Sequence, residues 1–260
     1  MSILDQLADY ARLRTEQSKQ LISAEEIKAK ALSLPKSSFA FENAIRGGDI
    51  SFICECKKAS PSKGIIAEDF PYVKIACEYE SAGADCISVL TEPKWFLGSS
   101  EHLREISHAV SIPCLRKDFI VDEYMIYEAR LLGAAAVLLI CSILSDAQLK
   151  EYIDICDSLG LSALTEAHSE EEVMRALRSG ARLIGVNNRD LKDFSVDTEN
   201  SRRLRHLVPS DMLFVSESGI NSAEDIAKLR GTGIDAVLIG ETLMHAPDKK
   251  KKLAELRGNI

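Results

Sequence analysis

The string SFICECKK at residues 51–58 opens on apolar residues, as a buried strand would, and then places Glu55, Lys57 and Lys58 where more apolar residues should follow. Side chains alternate along a strand, so Glu55 and Lys57 share one face while Cys54, Cys56 and Lys58 share the other. Charged groups recur at the ends of three further β-type runs: Lys117 and Asp118 in PCLRKDF, Glu166 in LSALTEA, and Glu217 with Ser218 in MLFVSES. A fourth run, LIGV, leads into Asn187, Asn188 and Arg189. Unpaired charges are costly to bury, so lysines and carboxylates converging from separate strands read as chemistry rather than packing.

Two kinds of reaction are open to such a set. A lysine forming a Schiff base must be a neutral amine, which lowers its pKa by ~3 units at a cost of about 4 kcal/mol. A glutamate two residues away on the same face opposes that shift. Nearby carboxylates instead favour a charged lysine that acts as a general acid. A second signal is an anion cradle. The segments ESGINSAED and IGETLM carry Gly219 and Gly240, where backbone can approach an anion closely, and Ser222 is placed to cap the next helix. SPSKG adds Ser60, Ser62 and Lys63, so a sugar phosphate is the expected ligand. The histidines at 102, 108, 168, 206 and 245 form no HExxH or other clustered ligand pattern. His168 therefore reads as a rim residue, and no metal is expected.

These side chains need a frame that brings strand ends together. One phrase occurs four times: GADCISVL from Gly83, GAAAVLLI from Gly133, GARLIGV from Gly180 and GIDAVLIG from Gly233. Each reads as a helix ending at a glycine, followed by a strand buried on both faces. The phrases stand roughly fifty residues apart, about twice what one strand, one helix and their loops require. SFICECK, PCLRKDF, LSALTEA and MLFVSES supply the missing strands, which makes eight. Amphipathic helical patterns lie between them. Leu149, Tyr152, Ile153 and Cys156, for instance, fall on one helical face. Eightfold alternation predicts an α/β fold, a single (β/α)8 TIM barrel. A doubly wound sheet is the rival, but its nucleotide-binding turns GxGxxG and GxxxxGK[ST] are absent.

Residues 1–260 are expected to form one barrel domain, of which 1–48 is an N-terminal helical extension packed over the barrel. Ser23 and Glu26 resemble a capping box for a helix ending before Pro35. KKKK at 249–252 reads as the solvated face of the last helix.

Composition narrows the partners. With 32 basic and 40 acidic side chains the chain carries a net charge of −8, which disfavours broad attraction to nucleic acid or anionic lipid. The seven cysteines lie scattered through apolar segments, as reduced core residues of a cytoplasmic protein would. The N-terminal stretch lacks the apolar run of a signal peptide, and the longest apolar run, AAAVLLICSIL, is too short to span a bilayer.

Six strings in order, ECKKASPSKG, VLTEPKWFLGS, LRKDFIVDEYMI, GVNNRDL, VSESGI and VLIGETLM, resemble the indole-3-glycerol phosphate synthase family over residues 50–247, and the helical extension fits the family plan. The resemblance implies a lyase of tryptophan biosynthesis that turns 1-(2-carboxyphenylamino)-1-deoxyribulose 5-phosphate into indole-3-glycerol phosphate, CO2 and water without a cofactor. It implies Lys117 as general acid, Glu166 as its acidic partner, and Lys57, oriented by Glu55, as the lysine that meets the substrate carboxylate or serves as a second acid. Asn187, Glu217 and Ser218 match polar substrate contacts, with Arg189 beside them. Phe96 and Phe119 resemble the walls around the aromatic ring. Ser60, Gly219, Gly240 and Glu241 match the phosphate site, Glu241 through its backbone N–H. Cys56 stands where the family usually has a larger apolar residue. The implied enzyme is monofunctional and monomeric, with a weak dimer as the alternative. The rivals are a sugar-phosphate isomerase barrel, a Schiff-base aldolase, and a barrel that binds a metabolite without catalysis.

Overall fold

The four repeated glycines turn the chain out of a helix and into a strand: Gly83, Gly133, Gly180 and Gly233 all adopt positive φ, between 82 and 90°. The strands that follow are Cys86–Leu90, Ala136–Ile140, Leu183–Asn187 and Ala236–Ile239. In two repeats the next residue but one is an aspartate that ties strands together. Asp85 accepts from the Phe52 N–H, and Asp235 from the Phe214 N–H, each at 2.7 Å. Ser51–Cys56, Cys114–Lys117, Ser162–Ala167 and Leu213–Glu217 are the interleaved strands. The computed structural model describes residues 2–190 and 194–258, so Leu191 of the GVNNRDL string lies outside the described residues.

The eight strands form one closed parallel barrel in chain order, the first pairing with both the second and the eighth. Register then decides the site. Glu55 lies opposite Ser88, Leu90 opposite Lys117, Ile140 opposite Glu166, and Asn187 opposite Glu217, so that Glu55, Lys117, Glu166 and Glu217 stand at or next to the C-terminal ends of their strands. The odd-numbered strands thus each deliver one charged side chain to the same mouth. The opposite faces pack under the helices, where Cys54 and Cys56 are fully buried as alternation predicts. Burial pushes both thiols up in pKa, which leaves them neutral in the apolar layer.

The helix between the fourth and fifth strands, Asp146–Leu159, buries Leu149, Tyr152, Ile153 and Cys156, the predicted stripe. Each such aliphatic side chain contributes about 1.5–3 kcal/mol when fully buried. Ser222 caps Ala223–Leu229 by accepting from the Asp225 N–H. Lys250 and Lys251 of the last helix, Lys249–Arg257, are exposed.

Three helices precede the barrel: α1 (Ile3–Leu21), α2 (Ala24–Ser33) and α3 (Ala40–Ile45). Leu7, Ala8, Ala11 and Thr15 form the buried stripe of α1, and α2 lies along Glu123–Leu131. Ser23 accepts from the Glu26 N–H, but the Glu26 carboxylate turns to Lys30 at 2.7 Å, so the capping box is half formed. The third helix closes the other end of the barrel. Phe41 and Ile45 have no exposure, and the Glu42 N–H donates to the Ser162 hydroxyl at the start of the fifth strand. No helix among the described residues is long and apolar enough to cross a membrane.

Candidate active site

Every catalytic, substrate and phosphate candidate named from the sequence lines one cavity of about 680 Å³ at the C-terminal mouth of the barrel. Its floor is apolar, made by Leu90, Leu138, Ile140 and Leu238. Above this floor stand the charges. The Lys117 ammonium lies 3.1 Å from Glu166 and 3.1 Å from Glu217, and Lys57 lies 2.7 Å from Glu55. Burial opposes the charge on Lys117, but Glu166, Glu217 and Glu55 outweigh it and hold its pKa above the ordinary lysine range.

The two carboxylates on Lys117 are not equivalent. Burial disfavours the Glu166 anion, yet Lys117, His168 and the Asn187 amide together hold its pKa below the usual carboxylate value. Glu217 is 1 % exposed, and among the described residues its oxygens have no polar partner other than the Lys117 ammonium. Burial pushes its carboxyl up to about 7, with Lys117 opposing and Glu166 adding to the rise. One acid and one base can therefore coexist near neutral pH beside the same ammonium.

Two glycines make this crowding possible. A Cβ on Gly185 would lie 2.3 Å from a Glu217 oxygen, and one on Gly240 would lie 2.4 Å from a Glu55 oxygen and 3.0 Å from the Lys57 ammonium. Ser218 is one of two strained non-glycine residues lining the cavity, with φ of 67°, the other being Phe194 at 62°. The Ser218 hydroxyl donates to Asn187 Oδ1 at 2.9 Å and its carbonyl accepts from the Asn188 amide at 3.0 Å, which hold it in that conformation.

The rest of the rim comes from loops and from the N-terminal helix. Phe96 and Phe119 face one another with ring centroids 6.0 Å apart, and Ile3, Leu4 and Leu7 of α1 complete the apolar side. Across the mouth, Ser60, Ser62, Lys63, Arg189, Gly219, Gly240 and Glu241 line the cavity. SPSKG forms a small hairpin, Ala59–Ser60 against Gly64–Ile65. The Glu241 carboxylate is paired with Lys63 at 3.0 Å and Arg189 at 3.8 Å. Among the described residues no cluster of three or more His, Cys, Asp or Glu is placed to hold a metal ion.

Two supporting residues were not singled out in the sequence as functional. Glu92 has no exposure and accepts N–H bonds from Lys94, Trp95 and Phe96 at 2.8–2.9 Å, which fixes the loop that presents Phe96. Its placement before a proline, in TEPKWF, is a turn signal that points to such a role. His168, read from the sequence as a rim residue, is not among the residues lining the cavity, and its ring lies beside Glu166 at 3.5 Å.

The architecture is shared with a thiamine phosphate pyrophosphorylase from Pyrococcus furiosus, at a TM-score of 0.61 and 19% identity, covering 84% of this chain and 96% of that one. At that identity the likeness is one of fold alone. The family model described as indole-3-glycerol phosphate synthase matches residues 4–256. Relatives so named from Ruminiclostridium cellulolyticum and Endomicrobium trichonymphae are 57% and 52% identical, over 99% and 98% of this chain and 99% of each relative. A match of this depth over nearly the whole length is decisive, and the chain belongs to the indole-3-glycerol phosphate synthase family.

Proposed function

We propose that this chain converts 1-(2-carboxyphenylamino)-1-deoxyribulose 5-phosphate into indole-3-glycerol phosphate, with Lys117 as the acid of ring closure. The single observation that carries the assignment is an ammonium held between two buried carboxylates and facing a cavity. Ring closure joins the aromatic carbon that bears the carboxylate to the sugar ketone carbon, and the ketone oxygen must take a proton or its equivalent as the bond forms. Lys117 is charged throughout the working pH range, so that donor is always loaded. Its proton is tightly held, and protonation of Glu217 loosens it by removing one of the two flanking anions. Loss of CO2 then restores the aromatic ring. Departure of the former ketone oxygen as water requires a second proton, and removal of a proton from the adjacent carbon completes the indole. Glu166, the carboxylate held as an anion, is suited to receive that last proton.

Lys57 supplies the positive charge that the substrate carboxylate needs, with Glu55 orienting it. Phe96 and Phe119 flank the aromatic ring, and Asn187, Ser218 and Arg189 meet the hydroxyls of the sugar. The phosphate takes the Ser60, Gly219, Gly240 and Glu241 rim through backbone N–H groups, with Lys63 in reach of it. A Schiff-base mechanism is disfavoured at Lys117, because three carboxylates stabilise the form of the lysine that cannot attack a carbonyl.

The test is direct. The substrate is added and indole fluorescence and CO2 release are followed together. Lys117→Ala is expected to abolish turnover while still binding a phosphate-bearing product analogue. A Lys117→Ala protein with near-normal turnover overturns the assignment.

A further inference from the structure

His168 takes no part in the reaction above, yet both nitrogens of its half-buried ring are enclosed between two carboxylates. Its Nε2 lies 3.5 Å from Glu166 and its Nδ1 3.4 Å from Glu172, and neither nitrogen has another polar partner among the described residues. Glu172, on the helix Glu170–Arg178, is anchored in turn. It accepts from the His168 backbone N–H at 2.7 Å and from the Ser142 hydroxyl at 2.6 Å. A neutral imidazole has one N–H and one lone pair, so one of its nitrogens would face an anion with a lone pair. Only the doubly protonated ring presents N–H to both carboxylates.

The groups packed around the ring agree with a charged state. Burial opposes it, but Glu172 on one side and Glu166 on the other raise the histidine's pKa, with Glu217 of the seventh strand adding at longer range. Lys117 of the third strand lies beyond Glu166, and Arg175 is turned away to Asp146 and the Cys141 and Leu144 carbonyls. The Cys141 thiol, pushed up to about 12 by burial, is neutral. The Asn200 amide donates to the His168 carbonyl at 3.2 Å, which fixes the backbone from the far side.

Glu166 and Glu217 are both buried and both 3.1 Å from the same ammonium. The His168 ring is beside Glu166 and not beside Glu217. We propose that His168 is a positioning residue that decides which of the two carboxylates flanking Lys117 holds a proton, keeping Glu166 an anion and leaving the proton to Glu217. It acts on the reaction through Glu166 and does not touch the reacting atoms.

The inference rests on the reaction assigned above, and two measurements separate the two claims. The first needs no turnover: in the intact protein, the nitrogen NMR shifts of His168 are followed from about pH 5 to 9. Both ring nitrogens are expected to carry protons at neutral pH, and a neutral ring at pH 7 overturns the proposal whatever the enzyme does. The second is the pH profile of kcat/KM. His168→Gln is expected to move the acid limb up by about one unit, a loss that grows to about tenfold below the wild-type limb and vanishes well above it. A uniform loss at every pH, or an unmoved limb, overturns it. Should His168→Gln fail to fold, Glu172→Gln carries the same test with the ring in place. It is expected to shift the limb in the same direction by a smaller amount, and an unmoved limb overturns the proposal there too. Wild-type protein that turns over no substrate at any pH refutes the reaction and leaves the NMR result standing.

Discussion

At the scale of the residue, the site is a set of charges that folding alone would not choose. Three glutamates and two lysines share one mouth, and the glutamate with the poorest partners is Glu217. Its raised pKa is a statement about stability. A carboxyl that ionises near 7 in the native state and near 4.3 when unfolded binds more protons native than unfolded between those values, so its contribution falls as pH rises through that window. Glu166, depressed below the usual range, runs the other way: its stabilisation is present above the unfolded pKa and is lost as pH falls through the folded one. Glu217→Gln removes the first dependence. The variant is expected to gain stability over wild type by about 2 kcal/mol more at pH 8 than at pH 5, read by urea unfolding. A gain that is the same at both pH values would show that Glu217 is an ordinary carboxylate.

At the scale of the element, the barrel was written plainly in the chain and the finer placements were not. Glycine followed by a β-type run is a local pattern, and parallel strands buried on both faces have few other ways to close. Period-two alternation was enough to send Glu55 and Lys57 inward and both cysteines outward. Glu92 and the placement of the His168 ring beside Glu166 were hidden because each depends on a loop conformation or a neighbouring helix that no local periodicity encodes. The half-formed cap at Ser23 has a similar origin, since Glu26 finds Lys30 one turn on and leaves the cap backbone. Gly185 is a case where the element explains the residue. It sits mid-strand, where glycine weakens a sheet, and its bare Cα leaves space for the Glu217 carboxylate. Gly185→Ala is expected to keep the fold and lower Tm by only a few degrees, because the obstructed atom is the end of a side chain. Turnover is expected to fall at least about tenfold as that carboxylate is driven off Lys117. Circular dichroism with the fluorescence assay checks both halves, and an alanine variant of normal activity would mean that the carboxylate position is immaterial.

At the scale of the whole molecule, α1 and α2 set cations of their own against carboxylates on the barrel side, whereas α3 reverses the sense, its Glu42 meeting Arg182 at 3.0 Å. Arg14 meets Asp118, Lys19 meets Asp122 at 2.7 Å, and Lys28 meets Glu123 at 3.3 Å. Lys28–Glu123 is exposed and contributes little once screened by salt, and Lys19–Asp122 is only half-buried. The Arg14–Asp118 pair is different in kind. The Asp118 side chain has no exposure, accepts from Arg14, Thr91 and Arg116 as well as the Phe119 N–H, and is the neighbour of Lys117 along the chain. Burial alone would raise its pKa, but Arg14 and Arg116 bring it below the usual carboxylate range. Removing one cation from a buried network leaves the anion undercompensated, so Arg14→Met is expected to lose about 3 kcal/mol of stability at pH 7. The loss belongs to the ionised carboxylate. It is therefore expected to persist above the unfolded aspartate pKa of about 3.9 and to narrow as pH falls through the depressed native value. Because Asp118 also fixes the Phe119 N–H, the same variant is expected to raise KM more than it lowers kcat, through a loosened aromatic wall and not a lost acid. Urea unfolding at pH 7 and pH 3 with a kinetic run at pH 7 reads all three effects. An Arg14→Met protein as stable as wild type at pH 7 would show that the helices are held by their apolar stripe alone, with no contribution from this ion pair.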